Sequence, residues 1–292
     1  MQLYYHKEKS RNFGDDLNEW LWDYLLPGFR SCSPDVTLIG VGTLLNDKRL
    51  NPLRDRKLLI LGSGVGYGNG SISHPIPKQW QIRAVRGPHS ARRLGLPREV
   101  GITDPAALLP DLPEFQDLEK SAEPLFIPHH GSVDRQNWQA ACRRAGLVFL
   151  SPEGEAKEVI RRIAASPYVI TEAMHGAIIA DAFRVPWVPV KIGPQFNDFK
   201  WRDWLDSLSI RAEPVAFHPL IEGWADRLSF PRGIRYQTKA RMLIEKPFID
   251  RALRRSMQID RHLSDPDCLR EKQQSLRDIL AALREEYLVA ER

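Results

Sequence analysis

The sequence predicts an α/β protein with two parallel sheets. Short apolar segments alternate with amphipathic helical segments along the chain, which is the pattern of βαβ units. Several apolar segments end in or near glycine, as strands do where a parallel sheet meets a ligand. A polar stretch with a proline, "QDLEKSAEP" at 116–124, interrupts the pattern and separates two lobes of ordinary domain size.

The first predicted lobe covers residues 1–115. A helix is predicted over 14–26, because Asp15 and Asp16 suit the positive end of a helix dipole and a Pro-Gly pair ends the helical pattern. Strands are predicted at 2–6, 36–42, 57–64 and 80–87. The last three strands end in or near glycine, so the turns that follow them are candidate ligand loops.

The second predicted lobe covers residues 116–230, and residues 231–292 are predicted to form a basic helical extension. Strands are predicted at 125–130, 147–150, 168–171 and 187–190, and helices at 134–145, 153–165 and 175–183. Within the extension, 235–255 has seven basic and two acidic residues interleaved with apolar ones. We interpret it either as a solvated helix that packs its apolar face on the body or as a patch that contacts anionic membrane headgroups.

The composition is that of a soluble globular protein, since 42% of the residues are hydrophobic and 27% are charged. No apolar run reaches the roughly 20 residues of a membrane helix, and the amino-terminal residues lack the apolar core of a signal peptide. We therefore expect a cytoplasmic protein, and we predict no nucleic-acid partner. Cys32, Cys142 and Cys268 are widely spaced and are predicted to be reduced and structural.

Candidate ligand residues lie at the predicted carboxyl ends of strands, where helix amino termini and glycine turns present backbone N–H groups to anions. Five turns have this character: "SRNFGDD", "GVGTL", "GSGVGYG", "VRGPHS" and "TEAMHG". From these turns and their neighbours we select as substrate-binding candidates Asn12, Gly14, Asp15, Gly42, Gly62, Gly64, Asp104, Glu172, Gly176, Lys191 and Lys200. Asp104 is equally interpreted as the cap of a short helix.

Several known cofactor and hydrolase motifs are absent. The stretch 62–68 fails the GxGxxG pattern, because Tyr67 and Asn69 stand where glycine is required, so no nicotinamide cofactor is predicted. Phosphate loops of the Walker type, HExxH zinc helices and GxSxG elbows are also missing. We expect neither a metal nor a cofactor.

Histidine and arginine side chains at three predicted strand ends are the catalytic candidates. His175 begins a helix and can hydrogen-bond or protonate a ligand, or it can cap its own helix. His129 and His130 end another strand and can move a proton or serve the structure. Arg86 ends a third strand, and its planar guanidinium suits a carboxylate or phosphate, or it lies at the surface.

Taken in order, these turns resemble the polysaccharide pyruvyltransferases, in particular their bacterial exopolysaccharide, succinoglycan-type branch. The resemblance is carried by "NFGDDLN", "GVGTLL", "LGSGVG", "VRGPHSARRLG", residues 101–109, "IPHH", "TEAMHGAIIADAFRVPWV" and "FNDFKWRDWLDSL". It spans about residues 10 to 210. It implies two Rossmann-like lobes arranged as in GT-B glycosyltransferases, and transfer of the pyruvyl group of phosphoenolpyruvate onto sugar hydroxyls as a ketal.

The family pattern T-x-R-L-H-G has an arginine where this chain has Ala173. If that arginine holds the donor, another cation must replace it, and the candidates are Arg86, Lys191 and Lys200. For this reaction we assign His175 as general acid or ligand of the donor phosphate and Arg86 as anion clamp. His129 or His130 is assigned as a second acid–base group or phosphate contact. The resemblance also implies a lipid-linked oligosaccharide acceptor, which an enzyme peripheral to the inner face of the plasma membrane would reach.

Two other functions remain open. A GT-B glycosyltransferase with a sugar-nucleotide donor has the same expected fold, and a fold does not determine the donor. A non-catalytic scaffold of polysaccharide assembly is suggested by Ala173. Four tryptophans are interpreted either as core residues or as platforms for sugar rings, namely Trp187, Trp201, Trp204 and Trp224.

Overall fold

The structure, a computed structural model, describes residues 1–7, 10–67, 72–217 and 246–289. It contains two sheets in which all paired strands run parallel, with helices packed beside them. The predicted α/β class with parallel sheets and C-terminal helices is thereby confirmed. Among the helices described, none combines the length and the apolar character that a membrane crossing requires.

The first sheet has four strands in the order β1-β2-β3-β4. They are β1 (Gln2–Tyr4), β2 (Val36–Ile39), β3 (Lys57–Leu61) and β4 (Trp80–Ala84). All of β2 and the last four residues of β3 are buried, as expected of parallel strands that are covered on both faces. The strands end earlier than predicted. At Gly62, for example, φ is +85°, which takes the chain out of the ladder.

The second sheet has five strands in the order β6-β5-β7-β8-β9. They are β5 (Leu125–Ile127), β6 (Val148–Phe149), β7 (Val169–Thr171), β8 (Trp187–Lys191) and β9 (Val215–Ala216). Phe126, Ile170 and Val188 are fully buried at its centre, together with Trp138. The tryptophans Trp187, Trp201 and Trp204 are also buried, whereas Trp224 lies outside the described residues.

The α-helices in chain order are α1 (Phe13–Asp16), α2 (Leu21–Leu25), α3 (Asp47–Leu50), α4 (Pro88–Arg93), α5 (Trp138–Ala145), α6 (Ala156–Ala165), α7 (Met174–Ala182), α8 (Asp198–Ser207), α9 (246–256) and α10 (Pro266–Arg284). The single helix predicted over 14–26 is wrong, because α1 and α2 are joined by a 3-10 turn and the chain leaves helical geometry at Trp20. The Asn18 amide donates to the Asp15 carbonyl at 3.0 Å, which competes with the helical ladder at this point.

The chain divides into two compact units that are discontinuous in sequence. The first unit comprises Met1–Gln116, Asn197–Arg211 and Ser264–Arg292, and the second comprises Asp117–Phe196 and Ala212–Leu263. The predicted lobes were contiguous, whereas α8 and α10 pack with the first unit. Gln273 of α10 donates to the Ala107 carbonyl at 2.8 Å, and Arg277 pairs with Asp111 at 2.8 Å. Most of the predicted basic segment 235–255 lies outside the described residues, which resume at 246.

The cysteines form no disulfide within the described part of the chain. Cys32 and Cys142 are buried, and burial raises the pKa of the Cys142 thiol to about 12. A thiol with so high a pKa is not a nucleophile at neutral pH, which agrees with a structural role for Cys142.

Candidate functional site

In the first unit, the loops that follow β2 and β3 are bonded to each other. Gly64 N donates to the Gly42 carbonyl at 2.9 Å, and the Ser63 hydroxyl donates to the same oxygen at 3.1 Å. Gly42 and Gly62 have φ values of +121° and +85°, a region that favours glycine. At Gly62 an added Cβ would also lie 2.1 Å from Pro105 Cδ. Backbone conformation and packing therefore account for part of the glycine content of both loops.

The Arg86 guanidinium is fully buried among partners of its own unit. Its Nη2 lies 3.1 Å from Asp203 Oδ2 and donates to the Val65 carbonyl at 2.7 Å, and its Nη1 donates to Thr43 Oγ1 at 2.9 Å. An added Cβ at Gly64 would lie 2.4 Å from Arg86 Cζ, so the loop passes directly over the guanidinium. These contacts hold the loop after β3 in place. The role of Arg86 as an anion clamp stays a prediction.

Asp203 of α8 completes this cluster. Its Oδ1 accepts a hydrogen bond from Ser90 N at 2.8 Å, and its Oδ2 accepts one from Ser90 Oγ at 2.5 Å. The same hydroxyl accepts from Val65 N at 2.9 Å. The loop after β3 is thus fixed to both α4 and α8. We call the following residues the Arg86 network: Thr43, Val65, Arg86, Ser90 and Asp203.

Other candidates of the first unit act as local caps. Asn12 Oδ1 accepts from Gly14 N at 3.3 Å and its Nδ2 donates to Asp15 Oδ2 at 2.8 Å, so these three residues form the amino terminus of α1. Asp104 is buried and its Oδ1 accepts from Ala106 N at 3.0 Å, which is the capping role that the sequence left open for it.

Lys200 lies beside the end of the second glycine loop. Its Nζ donates to the Tyr67 hydroxyl at 3.0 Å and stands 4.6 Å from the centre of the Tyr67 ring. An added Cβ at Gly66 would lie 2.5 Å from Lys200 Cγ. The side chain therefore covers the loop, with its charge at the exposed face of Tyr67, which is 39% exposed.

In the second unit, Glu172 joins the ends of three adjacent strands. It follows β7, and its Oε2 accepts from His129 N, which follows β5, at 3.0 Å. Its Oε1 accepts from Ile192 N at 2.9 Å and from Gly193 N at 3.1 Å, both of which follow β8. The side chain is buried, and burial raises the pKa of Glu172 although the three amide hydrogen bonds act in the opposite direction. Glu172 thus builds the site, and a direct contact with substrate stays a prediction.

Glu172→Gln should destabilise the second unit by about 1–3 kcal/mol, because the amide nitrogen of glutamine would face a backbone donor. The loss of stability in Glu172→Gln relative to wild type should depend on pH. The folded protein holds the Glu172 proton more tightly than the unfolded chain, so wild-type stability falls as pH rises from the ordinary value of 4.5 through the raised pKa. The variant lacks this titration. Thermal unfolding measures Tm of wild type and of Glu172→Gln at acidic and at neutral pH. We expect the Tm of wild type to exceed that of the variant by less at neutral pH than at acidic pH, and a larger difference at neutral pH would contradict the raised pKa.

His175 lies in the first turn of α7, next to the turn that Glu172 begins. The residue is only 9% exposed. The amino terminus of α7 carries the positive end of the helix dipole, which favours an anion nearby. Packing also explains why residue 176 is a glycine, because an added Cβ there would lie 2.5 Å from Thr171 Oγ1. Close approach of a ligand at Gly176 stays a prediction.

The His129 and His130 rings contact each other in a tilted arrangement after the carboxyl end of β5, with ring centres 4.1 Å apart. Gly131 N donates to His129 Nδ1 at 3.1 Å. Because Nδ1 is the acceptor, the neutral His129 ring carries its proton on Nε2. Both rings are half-buried, so this proton is placed in a polar, partly enclosed setting at the strand end.

Arg135 stands at the same end of the second sheet, although it was not among the predicted site residues. It ends the 3-10 helix His130–Arg135. An added Cβ at Gly193 would lie 2.6 Å from both the Cζ and the Nη1 of Arg135, and 2.8 Å from Gln195 Oε1. Lys191 at the end of β8 places its Nζ 5.5 Å from the Phe196 ring centre. Two cationic side chains thus accompany the histidines in this unit.

Comparison with known proteins identifies the family. The family model described as "Polysaccharide pyruvyl transferase" matches residues 4–194. The chain belongs to the polysaccharide pyruvyl transferase family. It is also 50% identical over 215 residues to the succinoglycan biosynthesis protein ExoV of Rhizobium meliloti (strain 1021), an alignment that covers 73% of this chain and 67% of that protein. No solved structure matches the chain significantly.

Membership of this family confirms the predicted enzyme class, a transferase that moves a pyruvyl group in polysaccharide synthesis. The matched residues of this pyruvyl transferase include parts of both units. Arg86 belongs to the first unit, whereas the histidine candidates and Glu172 belong to the second. Within the second unit, Glu172 brings the backbone of His129 and Gly193 together. Among the described residues, no group of three His, Cys, Asp or Glu side chains is arranged to hold a metal ion.

Three residues that organise the sites of this pyruvyl transferase were missed from the sequence. Asn18 accepts from Val41 N at 2.9 Å and donates to the Val41 carbonyl at 3.0 Å, which holds the loop after β2. Asp203 was hidden inside the motif "FKWRDWLDS", because helical spacing places it on the side of α8 opposite Trp201 and Trp204, where no apolar stripe marks it as buried. Arg135 was assigned to a predicted helix, whereas α5 begins only at Trp138, and this masked its place in the strand-end loop.

Proposed function

We propose that this pyruvyl transferase moves the pyruvyl group of phosphoenolpyruvate onto hydroxyls of a sugar in an exopolysaccharide repeat unit, forming a ketal. The observation that carries the proposal is the 50% identity, over 215 residues, to a protein named for succinoglycan biosynthesis. The donor is inferred from its chemistry. A pyruvyl ketal needs a three-carbon unit that is activated at C2 and releases a stable anion.

The reaction needs one acid and one anion site. Protonation of the C3 methylene of phosphoenolpyruvate makes C2 electrophilic, a sugar hydroxyl adds to C2, and inorganic phosphate leaves. A second hydroxyl then closes the ring. One of the two hydroxyl protons restores the enzyme acid that protonated C3, and the other leaves with inorganic phosphate. No metal or cofactor is required on this account, because a positioned acid and preorganised cations supply the proton and the charge stabilisation.

We assign the acid to the second unit. His175 is enclosed at a helix amino terminus, where an anionic donor is favoured. His129 or His130 is the second acid–base group, since the Gly131 amide directs the His129 proton to Nε2. Arg86 is assigned a positioning role through the loop after β3.

Phosphate release decides between this function and its two rivals. The purified enzyme is incubated with phosphoenolpyruvate and a lipid-linked oligosaccharide, and the glycan is analysed by mass spectrometry for the added pyruvyl group. We expect phosphate release that depends on the acceptor, together with the mass increase. A glycan extended by a sugar from a nucleotide donor would replace the proposal with a glycosyltransferase. No product with either donor, from a folded protein, would favour a scaffold.

We also propose that the acceptor is met at the inner membrane surface, in line with the predicted cytoplasmic location. Helix α9 exposes Arg251, Arg254 and Arg255, and Phe248 is 39% exposed beside them. Each basic residue near an anionic surface contributes about 1 kcal/mol to binding.

Charge reversal of these three arginines to glutamate should lower binding to vesicles containing anionic lipid by at least about 10-fold, measured by co-sedimentation. A matched control reverses three exposed arginines elsewhere, Arg92, Arg98 and Arg143. Equal binding of both variants to these vesicles would refute the proposed contact of α9 with the membrane.

A further inference from the structure

Arg135 is a half-buried cation at the carboxyl end of the second sheet. Its guanidinium packs directly on the backbone of Gly193, since an added Cβ there would lie 2.6 Å from Cζ and from Nη1. The Gly193 amide in turn donates to Glu172 Oε1 at 3.1 Å, and the other carboxylate oxygen accepts from His129 N. The backbone of His129, in the proposed acid–base loop, and the backbone of Gly193, on which the guanidinium packs, are therefore both bonded to one buried side chain, Glu172.

No acidic side chain in the part of the chain that the structure describes forms an ion pair with the Arg135 guanidinium. Within the described residues it takes part in no ion pair and no side-chain hydrogen bond, unlike Arg86, which is bonded to Asp203, and Arg144, which is bonded to Asp250. An added Cβ at Gly193 would also lie 2.8 Å from Gln195 Oε1, which is buried without a hydrogen-bond partner in the described structure. A partly desolvated guanidinium that lacks a counter-ion is a ready site for a carboxylate or phosphate.

We infer that Arg135 binds the anionic donor in the second unit, through its carboxylate or its phosphate. The inference deepens the proposed function and rests on it. Ala173 supplies no cation at the start of α7. A guanidinium offers two parallel N–H donors to a planar carboxylate or to two phosphate oxygens, which a lysine such as Lys191 does not. Arg135 is thus the donor-binding residue, with Gly193 as the surface on which its side chain rests.

Two substitutions test Arg135 by different routes. Arg135→Gln removes the charge, whereas Gly193→Ala keeps the charge and displaces the guanidinium by steric contact. The displaced atoms in the second variant are the ends of flexible side chains, so its fold should be retained. Arg143→Gln is the matched control, because Arg143 is exposed in α5 of the same unit and carries the same charge.

Steady-state kinetics with phosphoenolpyruvate and acceptor give the readout, with Tm measured for every protein. We expect KM for phosphoenolpyruvate to rise about 10- to 100-fold in Arg135→Gln and to rise also in Gly193→Ala, while the control matches wild type. Calorimetric titration of wild type and variants with inorganic phosphate and with pyruvate shows whether Arg135 binds the phosphate or the carboxylate of the donor. Only the affinity for the anion that Arg135 binds should fall in the variants.

Unchanged KM and unchanged affinity for both anions in the two variants would overturn the role of Arg135. If Arg135→Gln fails to fold, Gly193→Ala decides by the same criteria. The proposed function is tested separately by the wild-type enzyme. If wild type turns over phosphoenolpyruvate and both variants keep the wild-type KM and anion affinities, only the role of Arg135 is refuted. If folded wild-type enzyme does not turn over phosphoenolpyruvate, the proposed function is refuted.

Discussion

Asp203→Ala should lower the free energy of unfolding of the first unit by about 3–5 kcal/mol. The substitution leaves the Arg86 guanidinium, which is fully buried, without its carboxylate. The remaining partners of Arg86 are neutral oxygens of Thr43 and Val65, which hydrogen-bond to the charge but do not cancel it. Two hydrogen bonds from Ser90 are lost as well. Because water cannot reach this position, the charge stays uncompensated.

The control for this prediction lies one helical turn further along α8. Asp206 pairs with His89 at 2.5 Å, but its side chain is 44% exposed. Solvent screens such a pair, so Asp206→Ala should cost less than about 1 kcal/mol. Denaturant unfolding measures both variants, and hydrogen exchange of the loop after β3 shows where the effect falls. Equal costs for Asp203→Ala and Asp206→Ala would mean that the Arg86 network does not hold the first unit together.

A double variant separates the pair from the rest of the network. Replacing Arg86 by methionine and Asp203 by leucine removes both charges and keeps much of the buried volume. The double variant should lose much less free energy of unfolding than the two single variants lose together, because each single variant leaves one buried charge without its partner. Additive costs would show that Arg86 and Asp203 act independently.

The strands were predictable because each is a short apolar run with a clear boundary in the sequence. Their ends were not. The run at 57–64 stays apolar or small beyond Leu61, and only the positive φ of Gly62 takes the chain out of the ladder. The break in the first helix has in part a similar origin, since Asn18 bonds not only to the nearby Asp15 carbonyl but also to residue 41, far along the chain. A local pattern does not contain a partner at that distance.

The grouping of α8 and α10 with the first unit also depends on distant partners. Asp203 and Arg86 are 117 residues apart, and Gln273 and Ala107 are 166 residues apart. Each partner has an ordinary local sequence, so neither pairing is visible in composition or periodicity. The polar link at 116–124 marks the place where the first unit is interrupted, but it does not indicate that later segments return to it.

The glycine positions of the candidate site could be predicted from the sequence, whereas the residues that pack against these glycines could not. The sequence marks Gly64 and Gly176 as positions without a side chain, whereas the structure supplies the reason, which is Arg86 in one case and Thr171 in the other. Arg135 was missed for a different reason. Asn137, not a residue near 134, caps α5 by accepting from Ala140 N at 3.0 Å. Treating Asn137 as the cap would have left Arg135 in the loop at the strand end.

His175→Ala should lower kcat by about 10²- to 10⁴-fold, the usual contribution of a positioned general acid. The imidazole is the proposed proton source for the C3 carbon of the donor, and alanine cannot replace it. The folded state should survive, because alanine favours the helix and the buried volume removed is modest. A cost of about 1–2 kcal/mol is expected. Activity assays and thermal unfolding on the same preparation separate the two effects.

A second histidine of the same unit provides the comparison. His262 is half-buried, packs 5.4 Å from the Trp187 ring, and burial lowers its pKa, so its removal should disturb packing without touching the proposed chemistry. His262→Ala should therefore lower Tm and leave kcat near wild type below the transition. If His175→Ala lost no more activity than His262→Ala, the proton would have to come from elsewhere. His129, whose Nε2 carries the proton, would then be the residue to replace next.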